Sequence, residues 1–131
     1  MRLSLLITAA PDSETAHYAW QFADAALADG HHIVRVFFAD AGVLHGQALS
    51  TPPRDFPSLC QRWQELQQRA DLDLVLCVSA ALHYGVLDDV NASSWEQPHS
   101  SIADGFVISG LGQLAEAQLQ SQHLVTFPGS A

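Results

Sequence analysis

The sequence contains no lysine. Its five cations are all arginines, Arg2, Arg35, Arg54, Arg62 and Arg69, set against 14 acidic residues for a formal charge of −9. Residues 1–69 hold seven acids and five arginines, net −2, whereas residues 70–131 hold seven acids and no arginine, net −7. Such a chain has no basic face with which to neutralise a phosphate backbone, which excludes direct nucleic-acid binding by this chain alone. It suits a basic protein partner, because opposite fields steer encounter. Cysteine is scarce: Cys60 and Cys77 are the only two, too few for a disulfide scaffold, and a reducing cytosol is the default compartment. No stretch approaches the roughly 18 apolar residues of a membrane span. Met1 and Arg2 ahead of Leu3–Ala10 faintly suggest a secretory leader, but Ser4 and Thr8 interrupt the run, which reads better as a first strand. The expectation is a soluble, cytoplasmic protein with no membrane contact. At 131 residues and 48% hydrophobic, with eight glycines and six prolines, the composition is that of one globular domain over 1–131.

What is present alternates in period. Leu3–Thr8 is a short apolar run that suits a strand. Ala16, Ala19, Trp20, Ala23 and Leu27 recur at helical spacing, with a start at Pro11–Ser13 and a stop at Gly30. Ile33–Ala39 is a second strand, rich in β-branched and aromatic residues. Residues 40–57 form a long connection with three prolines and a short helical turn expected around His45–Leu49, read as a lid or partner surface. Leu59, Trp63, Leu66 and Ala70 mark a second helix, and Asp71–Val78 a third strand with the continuous apolar character of a central parallel strand. A short helix over Ser79–Tyr84 follows. Phe106–Ser109 is a strand, 110–120 a helix with Leu111, Leu114, Ala115 and Leu119 inward, and Leu124–Phe127 a last strand, either an edge or paired in an oligomer. Five strands alternating with helices predict an α/β fold, a parallel sheet covered on both faces.

Ligand sites in such sheets lie outside the carboxyl ends of the strands. Thr8–Thr15 leaves strand one with small and hydroxyl residues, which fits an anion site at a helix start or a plain cap and turn; the glycines of a P-loop are missing. Cys77 ends strand three just before a helix, where free backbone donors and the helix dipole favour thiolate, the nucleophilic form that also carries sulfur as a persulfide. Position alone leaves the other reading open, a small hydrophobe packed beside Leu76 and Val78. A cysteine phosphatase needs an arginine six residues after its nucleophile, and His83 stands there; thioredoxin-type exchange needs a second thiol three residues on, and Ala80 stands there. His83 either folds back toward the thiol as base or cation, or faces solvent without a role. Cys60 reads as helix packing. His17, His31, His32, His45, His83, His99 and His123 are scattered, with no Cys-x-x-Cys and no HExxH, so no metal is expected. Asp88 and Asp89 start a helix or are simply solvated, and Asp71 and Asp73 look structural.

Several segments together carry a resemblance: ADGHHIVRVFFADAGV (28–43), LSTPP (49–53), DLVLCVSAAL (73–82) with GV at 85–86, and ISGLGQLAEAQLQSQHLVTF (108–127). In this order and spacing the chain resembles the DsrE-like sulfurtransferase family. The resemblance implies a three-layer, flavodoxin-like arrangement with five parallel strands, and Cys77 as the catalytic residue that accepts sulfane sulfur. It further implies TusB-like and TusC-like sister subunits in a heterohexamer, a TusA-like donor, a TusE-like acceptor, and a route to 2-thiolation of the tRNA wobble uridine. Family members in sulfur-oxidising bacteria use the same cysteine position for sulfur oxidation instead. Relatives commonly carry two arginines where this chain has His83 and Tyr84, so a partner subunit is expected to supply the missing charge. No cofactor is expected, since sulfur's own leaving-group chemistry carries the transfer. The competing readings are a noncatalytic assembly subunit of the same fold and a small-molecule or flavin-binding domain.

Overall fold

A computed structural model describes residues 1–129; the domain limit expected at residue 131 lies outside the described residues. The elements follow the order β1 (Arg2–Ile7), α1 (Glu14–Ala28), β2 (His32–Phe38), a 3₁₀ segment (Asp40–Gly46), α2 (Leu59–Ala70), β3 (Leu74–Cys77), α3 (Val78–Tyr84), α4 (Asp89–Ser94), β4 (Phe106–Ser109), α5 (Gly112–Gln120) and β5 (His123–Phe127). Local chemistry sets most of the limits. Ser13 caps α1 by accepting from the Ala16 N–H, Ser58 caps α2 through the Gln61 N–H, and Asp88 caps α4 through the Asn91 N–H. Gly30, at φ +86°, turns the chain out of α1 through a region that glycine enters without steric cost.

The sheet is parallel throughout, in the order β4-β3-β2-β1-β5. The last strand is therefore an edge, beside β1. Three successive connections step one way along the sheet and the fourth runs back across it. With right-handed crossovers, α1 and α2 fall on one face and α5 on the other. The side chains agree: Phe22 of α1 meets Phe127 at 5.6 Å and Trp63 of α2 meets Phe38 edge-on at 5.5 Å, while Ser4 and Arg35 reach α5 on the opposite face. The three layers match the expected arrangement. The core between them includes Leu5, Ile7, Val36, Phe37, Phe38, Trp63, Leu74 and Leu76, each 0–1% exposed.

Three expectations are corrected. The helical turn in the 40–57 connection lies at Asp40–Gly46, ahead of 45–49, and it belongs to the core: Val43, His45 and Gly46 are buried, and only the later part is open, with Leu49 75% and Phe56 67% exposed. Ala70, expected on the inward stripe of α2, is exposed, because the helix ends there and Asp71 turns away in the left-handed region (φ 52°). On α5 the inward residues are Leu114 and Ala117, while Leu111, Ala115 and Leu119 face out. The reason is the anchoring of α5: Arg35 Nη1 donates to the Gln113 carbonyl at 2.8 Å and the Ser4 hydroxyl to the Ala117 carbonyl at 3.5 Å, which turns that side of the helix to the sheet.

The buried 3₁₀ segment leaves no room for side chains at its closest approach. A Cβ on Gly42 would run into the Ile7 carbonyl at the end of β1. Two residues on from Val43, the His45 imidazole Nε2 donates to the Ala9 carbonyl at 3.1 Å, and its ring sits 5.2 Å from that of Phe38. Burial lowers the His45 pKa to about 4, with the Ala9 hydrogen bond pulling it up and nearby His17 pushing it slightly further down. The segment thus ties the loop after β1 to the loop after β2 through a neutral imidazole.

Two outcomes follow from this tie. Gly42→Ala is expected to lower stability by about 1–3 kcal/mol or more, read as a lower urea midpoint with an unchanged slope; an unchanged midpoint would refute the close approach. Between pH 6.5 and about 4 the unfolded chain takes up a proton that folded His45 refuses. Stability therefore falls as pH drops through that window, by about 3 kcal/mol from this group alone, and does not change on its account above it. Comparing urea curves at pH 7 and 4 for the wild type and His45→Leu checks this, since the variant should show a flatter acid limb.

Candidate functional site

β3 is four residues long and all four are buried, yet they are not equally closed. Leu74, Val75 and Leu76 are 0–1% exposed, and Cys77 keeps 7%. Cys77 is the last residue of β3, with Ser109 of β4 as its register partner, and it is also the N-cap of α3. Its backbone is extended (φ −62°, ψ 124°) and its side chain makes no capping bond, so the sulfur is not committed to the helix start. Alternation along the strand puts Leu76 on the α2 face with Phe38 and Ile108, and Cys77 on the α5 face with Val75 and Val107. The winding reverses at this pair of strands: the chain leaves β3 toward β4, and leaves β4 through α5 across the other face. A crevice outside the carboxyl end at such a reversal is where open α/β sheets place their ligands. Of the two free cysteines, Cys77 alone has this position.

The other candidates separate from it. His83 lies six residues along α3 from Cys77, near the end of the helix, about 9 Å on by helical rise. It is exposed and packs edge-on against Tyr84 at 5.0 Å, with no hydrogen bond to the thiol among the described residues. The structure thus does not bring His83 and Cys77 together. Cys60, on α2, is half-buried beside Leu59 and Trp63; burial raises its thiol pKa, which disfavours thiolate. The Thr8–Thr15 turn is a cap: Thr8 and Ala9 N–H groups donate to the Phe127 carbonyl and the Ser13 hydroxyl to the Ala10 carbonyl at 2.7 Å. The cleft of about 380 Å³ beside it is lined by Asp12 and Asp40, the wrong charge for an anion cradle. Among the described residues no three His, Cys, Asp or Glu side chains group to hold a metal. Asp88 starts α4, as one of its two readings had it. The 91–101 stretch is α4 and a return pinned at its end, where the Ser101 hydroxyl donates to the Gly85 carbonyl at 2.7 Å.

Two groups on the strands that carry the site were not singled out from the sequence. Arg35, its side chain 11% exposed, donates from Nε to Asp73 at 2.6 Å while holding α5 through Gln113; it fixes the entry of β3 and the placement of α5 together. Ser109 matters only because register sets it beside Cys77. No sequence pattern marks either, since both depend on which strands become neighbours.

Comparison with known proteins gives the family and the fold. The model of the DsrE/DsrF-like family matches residues 1–127. The protein named "Putative sulfurtransferase DsrE" of Allochromatium vinosum is 43% identical over 128 residues, 97% of this chain and 98% of that protein. "Sulfurtransferase TusD" of Klebsiella pneumoniae is 41% identical over 128 residues, 97% and 100% of the two chains. Among solved structures, the ychN protein from E. coli superposes with a TM-score of 0.74 at 19% identity, over 97% of this chain and 100% of that one, which supports the fold.

Proposed function

This chain belongs to the DsrE/DsrF-like family, and from that premise we propose that it is a sulfurtransferase that relays a persulfide on Cys77. The observation that carries the reading is the place of Cys77: the end of a central parallel strand, at the winding reversal, with residual exposure on an otherwise sealed strand. A donor persulfide R–S–SH meets the Cys77 thiolate, which attacks the terminal sulfur. The donor S–S bond breaks, R–S⁻ departs, and Cys77–S–SH remains. The same exchange run onto an acceptor cysteine restores the thiolate, with no net oxidation and no cofactor. Positive charge at the reacting sulfur would come from the donor or from TusB-like and TusC-like sister subunits, because His83 stands apart.

The acceptor decides the pathway. Relatives named TusD support a TusA-like donor, a TusE-like acceptor and 2-thiolation of the tRNA wobble uridine. The 43% identity to the DsrE protein equally favours the second reading, a subunit serving sulfur oxidation. In both, one domain spanning 1–131 performs the transfer on the protein's own sulfur atom.

Incubation with polysulfide, a donor of sulfane sulfur that leaves as hydrosulfide, should add about 32 Da to the intact mass. The addition is expected to vanish in Cys77→Ala, and to persist in Cys60→Ala and His83→Ala. A wild type that stays at its starting mass, or a Cys77→Ala variant that still gains sulfur, ends the relay reading. For the pathway, cells lacking the gene should lose 2-thiouridine from their tRNA, measured by nucleoside mass spectrometry. Full 2-thiouridine together with a defect in sulfur oxidation would move the assignment to the second reading.

A further inference from the structure

α5 covers only part of its face of the sheet. It packs on β1 and β2, held there by Ser4 and Arg35; on this face Val75 of β3 is still buried, and the edge strand β4 is left open. Val107, which points to that face by alternation with buried Phe106, is 51% exposed, and Leu111 at the head of α5 is 65% exposed. Between them lies Ser109, the register partner of Cys77. A Cβ on Gly110 or Gly112 would meet no heavy atom within 4 Å, so space is free around the β4–α5 turn. Exposed apolar side chains on β4 and at the head of α5 therefore flank Ser109, whose register partner Cys77 is the least buried residue of β3 at 7%. Apolar side chains this exposed and this close to a candidate nucleophile point to a contact surface.

Charge selects the kind of partner. Residues 70–131, which supply β3, β4 and α5, carry seven acids and neither arginine nor lysine. Asp73 and Glu116 stand on this face with side chains 41% and 50% exposed, and buried Arg35 lies between them, bonded to Asp73 at 2.6 Å and 4.0 Å from Glu116, which leaves the group one net negative charge. A second copy of this chain would set one net charge of −9 against another, whereas a basic partner meets the opposite field. We infer that the open face of β4, with the β4–α5 turn beside Cys77, is the docking surface of the protein that exchanges sulfur with Cys77. It takes a segment whose apolar side chains cover Val107 and Leu111 and whose flanking lysines or arginines meet the acidic margin. This inference rests on the proposed role of Cys77. The segment's thiolate attacks the terminal sulfur of Cys77–S–SH, the Sγ–S bond breaks, the transferred sulfur keeps its proton, and Cys77 leaves as thiolate.

The test uses the full chain loaded with polysulfide and three acceptors: dithiothreitol, the peptide Arg-Leu-Cys-Leu-Arg and the peptide Glu-Leu-Cys-Leu-Glu. The dithiol removes the sulfur as hydrogen sulfide and closes to its cyclic disulfide, which reports whether Cys77 holds sulfur at all. At low salt the basic peptide should take sulfur about tenfold faster than the acidic one, with the contrast shrinking as salt screens it. Val107→Ser with Leu111→Ser, both at exposed positions, should slow the basic peptide about tenfold and leave the dithiothreitol rate unchanged. Equal peptide rates overturn the docking inference while the relay stands. So does a double variant that transfers normally, or one that changes only the oligomeric state. No sulfide released by dithiothreitol overturns the relay itself, and the docking inference with it.

Discussion

One residue has to end a strand and begin a helix at the same time. Cys77 pairs with Ser109 at the last rung of β3 and serves as N-cap of α3, and both duties fix its backbone in the extended region. A parallel strand with neighbours on both sides is closed to solvent along its length, so its carboxyl end is the only place where a β3 side chain can meet a partner while its backbone stays anchored. That constraint puts a sulfur atom at the border between core and surface, held by hydrogen bonds it does not itself make. A thiol on a loop would be easier to reach but would lack a fixed position; one a residue earlier, at Leu76, would be sealed.

The surroundings are arranged around this border by two ties. On the α2 face, the 3₁₀ segment folds over the ends of β1 and β3, with Gly42 against the Ile7 carbonyl, Gly46 against the Leu76 side chain and His45 on the Ala9 carbonyl. That closes one side of the sheet above the site. On the other face, Arg35 binds Asp73 at the entry of β3 and the Gln113 carbonyl on α5, holding α5 over β1 and β2. The result is asymmetry: the strand that carries the thiol is covered along its length, and its edge neighbour β4 is open on the α5 side at Val107. A charged side chain this buried costs desolvation free energy, which its paired carboxylate and carbonyl offset, and its benefit here is the placement of a helix.

The net charge complements this geometry. With its seven acids and no cation after residue 69, the half of the chain that builds the site repels polyanions and attracts basic surfaces. The proposed relay asks for a protein partner, since in it a persulfide passes directly from one cysteine to the next, and the electrostatics allow one. His83 and Tyr84, where arginines are absent, fit the same proposal, in which this chain offers the thiol and an acidic, partly apolar approach and a partner brings the positive charge.

Much of this was legible in the amino-acid order. Period changes along the chain marked five strands and the main helices, because burial on one face or two leaves its signature in neighbouring residues. The place of Cys77 at the end of an unbroken apolar run identified the candidate site, and the absence of lysine and of late arginines set the kind of partner. What local order does not contain is which strands become neighbours. The order β4-β3-β2-β1-β5 decided that Ser109 stands beside Cys77, that Arg35 reaches both Asp73 and α5, and that Leu111 and Leu119 turn outward despite their helical spacing. It also drew His45 into the core and left His83, six residues from the thiol in sequence, away from it. Sequence determined the elements and the candidate sulfur atom, since those depend on side-chain chemistry and short-range spacing; tertiary structure alone decided the company that atom keeps, since contacts between distant residues arise only when crossovers and register bring them together.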